Sequence, residues 1–445
     1  MMKKLDTLFI GFMLFSMFFG AGNLIFPPVL GASSGVNYWL AMAGFIVTGV
    51  GLPFIVLLAI SLVKGGVQTI GNRVHPVFST IFTVAVYLCI GPFLAIPRNA
   101  NVAFEMGVSP YMGGAMNKTL VLLLFSVIFF ALVYLVSLNP SKMEKYMGRF
   151  ITPTLLLAMV VLCVAGFVNL DSPFQQPTEQ YKSDAFFTGF LEGYNTMDAL
   201  AALAFGIVIL SAIKKRGVKD SKQLRNYTLK ASLIAGILLS IIYVSLGVIG
   251  ARMAGTATFE NGTEILSAAA TLLLGQNGTM LLGLIFTLAC FTTVVGLTTA
   301  CGHYFSELIP KANYKTVVLV VTLVGFTLSN LGLNQILKVS VPFLVTAYPL
   351  TIVLITLTFF SRYYRSQRKV YGSAMLFTGV VAVMGGLHAF GLDLGPLQTI
   401  KEMLPLSSVG LEWIVPALVG TGVGLVFDKV GAKPQVVENL EVKTS

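Results

Sequence analysis

Two stretches set polar residues inside long apolar runs. The first is FSMFFGAGNLIFPP, Phe15 to Pro28, and the second is LEGYNTMDALAALAFG, Leu191 to Gly206. In the first, Gly20 and Gly22 weaken a helix and Asn23 adds a polar side chain. Pro27 and Pro28 cannot extend a preceding helix without losing hydrogen bonds. In the second, Gly193, Asn195, Thr196 and Asp198 cluster within six residues. Close packing by small residues would explain the glycines alone. It does not explain glycine, asparagine and a double proline together. A helix broken at bilayer depth bares N–H and C=O groups that lipid cannot satisfy, so such breaks face a cavity or other protein. There a half-helix N-terminus offers N–H groups and partial positive charge to a carboxylate. A half-helix C-terminus offers carbonyl oxygens to a cation or an ammonium. An amino acid carries both groups, and a sodium ion needs the oxygens.

Two further stretches add candidates. CFTTVVGLTTACGHYF, Cys290 to Phe305, carries the hydroxyls of Thr292, Thr293, Thr298 and Thr299. Threonine hydroxyls commonly bond their own helix. The pair Thr298 and Thr299, beside Gly296, is the one expected to join carbonyls of the first stretch in an oxygen cage for Na+. GPFLAIPRNANVAFE, Gly91 to Glu105, is distorted by Pro92 and Pro97. It sets Arg98 and Glu105 at or near the outer surface, as a structural ion pair, a snorkelling arginine or a gate.

The elements that must position these residues are membrane helices. The chain has 445 residues, 56% hydrophobic and 11% charged, against about 25% charged in soluble domains. Its mean hydropathy is +0.85. Apolar stretches of membrane-crossing length, without strand alternation, predict an all-α polytopic membrane protein. About 12 transmembrane helices are expected, over residues 5–30, 38–63, 76–104, 117–139, 147–169, 185–211, 229–254, 279–303, 314–331, 338–360, 371–391 and 411–428. A short interfacial or re-entrant helix is expected at 260–275. The transmembrane domain thus covers 1–428, with a short polar tail at 429–445. The opening MMKK and apolar run resemble a signal peptide. The run continues to Leu30 without a small-residue cleavage site, so it is read as a retained span.

Net charge is +11, but the basic residues lie in short loops rather than in a nucleic-acid-binding patch. With alternate loops assigned to alternate sides, 23 Lys and Arg fall on one side and 6 on the other. The positive-inside rule then puts both termini in the cytoplasm. Cys89, Cys163, Cys290 and Cys301 all lie in apolar spans without a CxxC pair and read as packing residues. The scattered His75, His303 and His388 suggest no metal site. Span 1 opens the first five spans and span 6 the next five, and they run in opposite directions. Paired interruptions at corresponding places point to a transporter site between inverted halves.

FGAGNLIFPP and GPFLAIPRNANVAFE resemble the branched-chain amino acid:cation symporter family, the BrnQ-type bacterial carriers. The likeness extends over essentially the whole chain in length, span number and loop charge. It implies a LeuT-like fold, in which spans 1–5 (5–169) and 6–10 (185–360) form a 5+5 inverted repeat with broken helices 1 and 6. Spans 11 and 12 (371–428) would be peripheral. By this resemblance Gly20, Ala21, Gly22 and Asn23 line the substrate site, with the amides of Ala21 and Gly22 on the carboxylate. Ser16 and Phe19 would give carbonyls to Na+, Val295 a third, and Thr298 and Thr299 their hydroxyls. Asn23 would suit a second cation. Span 6 matches only by position, so Tyr194, Asn195 and Thr196 are candidates for the ammonium, and Tyr87 for closing over the carboxylate. Asp198 departs from the pattern; it would pair with the ammonium, carry a coupling proton or bond locally.

The expected function is import of leucine, isoleucine and valine by symport with a cation, Na+ or alternatively H+, through alternating access. Phe18, Phe205 and Met197 are candidates for the side-chain pocket. In the proton-coupled alternative, Asp198 or Glu192 is the proton site. The expected partners are the amino acid and the bilayer of a bacterial inner membrane, with no nucleic acid and no organic cofactor, and the oligomeric state is left open. An enzyme would need an acid–base or nucleophile–base set within the spans, and His303 has no evident partner for one.

Overall fold

A computed structural model describes residues 4–63, 65–112, 117–140 and 145–430. Lys3, Lys64, Lys142, Lys433 and Lys443 of the charge count, and the tail beyond Val430, lie outside the described residues. All regular structure among those described is helical. The first half contains α1 (Lys4–Phe18), α2 (Ala21–Ser34), α3 (Tyr38–Ile46), α4 (Leu52–Leu62), α5 (Pro76–Leu88), α6 (Ala95–Gly107), α7 (Lys118–Ser137) and α8 (Thr152–Asn169). The second contains α9 (Ala185–Glu192), α10 (Asp198–Lys214), α11 (Ser221–Met253), α12 (Gly262–Leu274), α13 (Gln276–Leu308), α14 (Tyr314–Ser329) and α15 (Leu333–Phe360). It is followed by α16 (Gln367–Ala389), α17 (Pro396–Met403) and α18 (Ile414–Val430). Short helical turns link some of these.

Helix lies on all twelve expected stretches. Among the described residues, eight helical runs are long and apolar enough to cross a membrane. A ninth is added when α9 and α10, bent by 43°, count as one. The segment expected at 260–275 is the apolar helix α12.

Local sequence explains the ends and the irregularities. Asn117, Asp220, Asn261 and Asn313 cap α7, α11, α12 and α14, each accepting a first-turn N–H. Wide helical turns at Val47–Gly51, Cys89–Phe93 and Met147–Ile151 each contain or lead into a proline: Pro53, Pro92 and Pro153. Without its N–H a proline leaves one carbonyl unpaired, and the preceding turn loosens. Pro27 and Pro28, which cost α2 hydrogen bonds, lie inside that helix, and it continues past the expected end of the span to Ser34. Packing holds that helix together. A Cβ on Gly31 would come within 1.9 Å of the Gly247 carbonyl oxygen, and one on Gly250 within 2.0 Å of Pro28 O. Backbones of α2 and α11 touch directly, the close approach that small residues permit in lipid.

Candidate functional site

The chain between α1 and α2 leaves the helix at Phe19 and Gly20. The Gly20 N–H donates to Asn23 Oδ1 at 3.2 Å, and the Ala21 N–H to Asn99 Oδ1 of α6 at 2.8 Å. In an unbroken helix those two N–H groups would bond the carbonyls of Ser16 and Met17. The break therefore frees the Ser16 carbonyl, which accepts from Thr292 Oγ1 of α13 at 2.8 Å and from Thr293 Oγ1 at 3.4 Å. Thr292 Oγ1 also lies 3.0 Å from Leu288 O and 2.9 Å from Ala289 O. One hydroxyl hydrogen thus serves three carbonyls, leaving a cluster of oxygen rich in lone pairs and short of donors.

The second break lies between α9 and α10. Residues Gly193–Thr196 tighten into a single turn, and Met197 takes left-handed backbone angles, φ 66° and ψ 8°. Helix α10 then starts at Asp198, which is 2% exposed. Asp198 Oδ2 accepts from Asn23 Nδ2 at 2.5 Å and from the Tyr243 hydroxyl of α11 at 3.1 Å. Asn23 Nδ2 also donates to the Tyr243 oxygen. This ring of three side chains ties both breaks to α11. It employs one carboxylate oxygen, and Oδ1 stays outside it.

A cavity of about 20 Å³ lies between the breaks, lined by Gly20–Asn23, Arg98, Asn99, Thr196–Asp198 and Thr293. Arg98 is 3% exposed; its Nη1 donates to Asn195 O at 3.1 Å, and its Nε has no partner. A Cβ on Gly22 would meet Arg98 Nη2 at 2.9 Å, so the guanidinium lies against the first break. One cation and one carboxylate line the same small space. Phe18 and Phe205 meet edge-on nearby, with ring centroids 5.2 Å apart. The volume suits about one water molecule, so an amino acid enters only when the walls separate.

Several expected positions change. Arg98, read as near the outer surface, is instead buried at the cavity, in the first turn of α6, which runs on to Gly107. Glu105, nearly two turns further on, pairs with Lys118 at 2.9 Å and stays partly exposed, so Arg98 and Glu105 form no pair. Tyr87 stacks on Tyr304 with centroids 4.1 Å apart and does not line the cavity. Tyr194 stacks on Tyr348, and the Asn195 side chain donates to Glu192. Both side chains face a different chamber, and only the Asn195 carbonyl reaches the cavity, through Arg98. The oxygen cluster on α13 belongs to Thr292 and Thr293. Thr298 and Thr299 sit six residues later, turned about 120° away at 100° per residue. Their hydroxyls are buried with no hydrogen-bond partner, and Val295, expected to offer its carbonyl, is buried about one turn before them. The Phe19 N–H bonds Phe15 O at 2.8 Å. Sequence reasoning missed Asn99 and Tyr243. The run Arg98-Asn99-Ala100-Asn101 was the available signal, since three polar residues within one turn are costly in a span.

A helical bundle with two interrupted helices around a small polar cavity defines a membrane transporter of LeuT-like architecture. The fold agrees with a solved structure of MHP1, a nucleobase-cation-symport-1 family transporter in a closed conformation. The TM-score is 0.61 at 15% identity, covering 97% of this chain and 94% of that one. The chain belongs to the branched-chain amino acid transport protein family, which matches residues 3–431. It is 44% identical to the branched-chain amino acid permease BraB of Bacillus subtilis over 424 residues, 95% of each chain. It is 41% identical to the branched-chain amino acid transport system 2 carrier protein of Pseudomonas aeruginosa, covering 98% of each. Its family is one of transporters, not of enzymes.

Proposed function

We propose that the protein imports leucine, isoleucine and valine together with a cation, Na+, across a bacterial inner membrane. It does so through twelve spans arranged as two inverted halves with both termini cytoplasmic. One observation carries the substrate reading: Arg98 and Asp198 are both buried and line the same small cavity, and Arg98 Nε has no hydrogen-bond partner. A zwitterion supplies the complement. Its carboxylate meets Arg98 and the N–H groups at the start of α2, where charge-assisted bonds are strong. Its ammonium meets Asp198 Oδ1 and the oxygens of Thr196. The aliphatic chain lies towards Phe18, Met197 and Phe205. A pocket of this kind separates leucine from valine by only about 1–3 kcal/mol per methylene, so all three substrates are accepted.

The oxygen cluster suits the cation. Unwound carbonyls and hydroxyls are the donors Na+ takes in broken helices, and Ser16 O, Ala289 O, Thr292 Oγ1 and Thr293 Oγ1 are gathered at one point. Na+ there would hold α1 to α13, completing the first break that also binds the substrate. Each ligand then favours the state the other favours, which is coupling. Proton coupling is the second reading, favoured by the buried Asp198 carboxylate that links both breaks to α11.

The test is uptake of radiolabelled leucine into proteoliposomes. Isoleucine and valine compete, whereas isocaproate, which lacks the ammonium, does not. Asp198→Asn and Arg98→Gln each cut uptake at least tenfold. Absence of leucine accumulation under both an inward Na+ and an inward H+ gradient overturns the branched-chain reading.

A further inference from the structure

A second chamber, of about 600 Å³, lies among α9, α15, α16 and the segment from α17 to Trp413. This is the bundle end that carries few basic residues, the outer face by the charge rule. Its size falls within the range of small-molecule sites, about thirty times the central cavity. Its wall is mixed. Val341, Leu344, Val345 and Pro349 of α15, with Val381 and Ala382 of α16, form an apolar side. The lining also holds the carboxylates of Glu179, Asp184, Glu192 and Glu412 with one ammonium, Lys401, and Glu412 lies beside Val345 at Gly385 of α16. In a chain of net charge +11, this is a local reversal of sign.

The polar lining is built and incomplete. Glu412 is 7% exposed, and its Oε1 takes Lys401 Nζ at 3.1 Å. Its Oε2 has no partner. The indole N–H of Trp413 and the hydroxyl of Tyr194 are neighbours, and both residues are more than nine-tenths buried. Buried polar groups left unpaired cost free energy that a ligand recovers. An unpaired buried carboxylate oxygen suits an ammonium, which gains a charge-assisted bond there.

We propose that this chamber is a second binding site, separate from the central cavity, for a small molecule bearing an ammonium group and a short aliphatic chain. The ammonium bonds Glu412 Oε2 near Trp413, and the chain lies on the α15–α16 wall. A branched-chain amino acid and its decarboxylated amine share that chemistry. The proposal goes beyond the transport reading and does not depend on it.

The chain has two tryptophans, Trp39 and Trp413. In a Trp39→Phe background, Trp413 alone reports, and its emission is read while purified protein is titrated with leucine, isoamylamine or isocaproate. Leucine, isoamylamine or both shift the emission saturably, and isocaproate leaves it unchanged. Which of the two acts identifies the source of the ammonium. Glu412→Gln weakens the response at least tenfold, and Val345→Phe, which fills the apolar side, does the same without touching the charge. Asn99→Ala, at the central cavity, leaves it in place. Absence of any response overturns the proposal. So does a response that survives both chamber substitutions, or one that Asn99→Ala abolishes, since the signal then arises at the central cavity. Leucine uptake, measured separately, does not enter this outcome.

Discussion

The two breaks solve the same problem in different ways. At the first, freed groups are satisfied by side chains from other spans. Asn99 takes the Ala21 N–H, Thr292 and Thr293 bond the Ser16 carbonyl, and Asn23 reaches Asp198 and Tyr243. The second takes fewer partners from other spans, with Arg98 on Asn195 O, and closes partly on its own turn. The Met197 N–H bonds Tyr194 O at 3.0 Å, and Thr196 Oγ1 bonds Gly193 O at 2.9 Å. Thr48 in the turn after α3 adds a clamp, donating to Phe190 O at 2.6 Å. Groups held by side chains can be handed to a ligand by a rotamer change, whereas groups held by local backbone cannot. On the proposed function, the first break is therefore the exchangeable surface, and the second is the more fixed joint that presents Asp198.

The comparison can be broken or sharpened at four places. Gly250→Leu attacks the support beneath the first break. Its Cβ would sit 2.0 Å from Pro28 O, so monodisperse protein is expected to be lost on size-exclusion chromatography. Asn99→Ala acts on the exchangeable surface. It leaves the buried Ala21 N–H unpaired at a cost of about 1–3 kcal/mol, and half-maximal leucine uptake is expected to need about tenfold more substrate. Met197→Gly acts on the joint. A residue at φ 66° carries about 1 kcal/mol of strain that glycine lacks, but Met197 is 2% exposed and its removal leaves a cavity costing about 2–5 kcal/mol, so the thermal midpoint in detergent should fall. A rise would mean that backbone strain outweighs packing at the joint. Glu105→Gln should change uptake least, because its partner Lys118 is 59% exposed and such pairs contribute about 0–1 kcal/mol.

Much of this was legible in the sequence, for physical reasons. Glycine, asparagine and proline inside an apolar run mark a break whatever surrounds them, so Gly20–Asn23 and Gly193–Asp198 could be found directly. The spans followed from apolar length. The register of α13 was not legible. Thr292–Thr293 and Thr298–Thr299 are equal pairs by type, and only the rotation of α13 against α1 chooses between them. The depth of Arg98 was misread for a related reason. Its place late in the expected span 76–104 suggests the outer end, but the wide turn at Cys89–Phe93 bends the span and α6 runs on to Gly107, with Arg98 in its first turn. Tyr243 stands alone in an apolar run, and nothing nearby in the chain hints that it meets Asn23 and Asp198.

The register of α13 also gives the most direct test of the account. Leucine accumulation is measured in proteoliposomes under an inward Na+ gradient, for the wild type, Thr292→Ala and Thr298→Ala. The expected result is loss of Na+-driven accumulation with Thr292→Ala and near-normal accumulation with Thr298→Ala. Accumulation that persists with Thr292→Ala, or that an H+ gradient alone drives in the wild type, would contradict the cation site between α1 and α13.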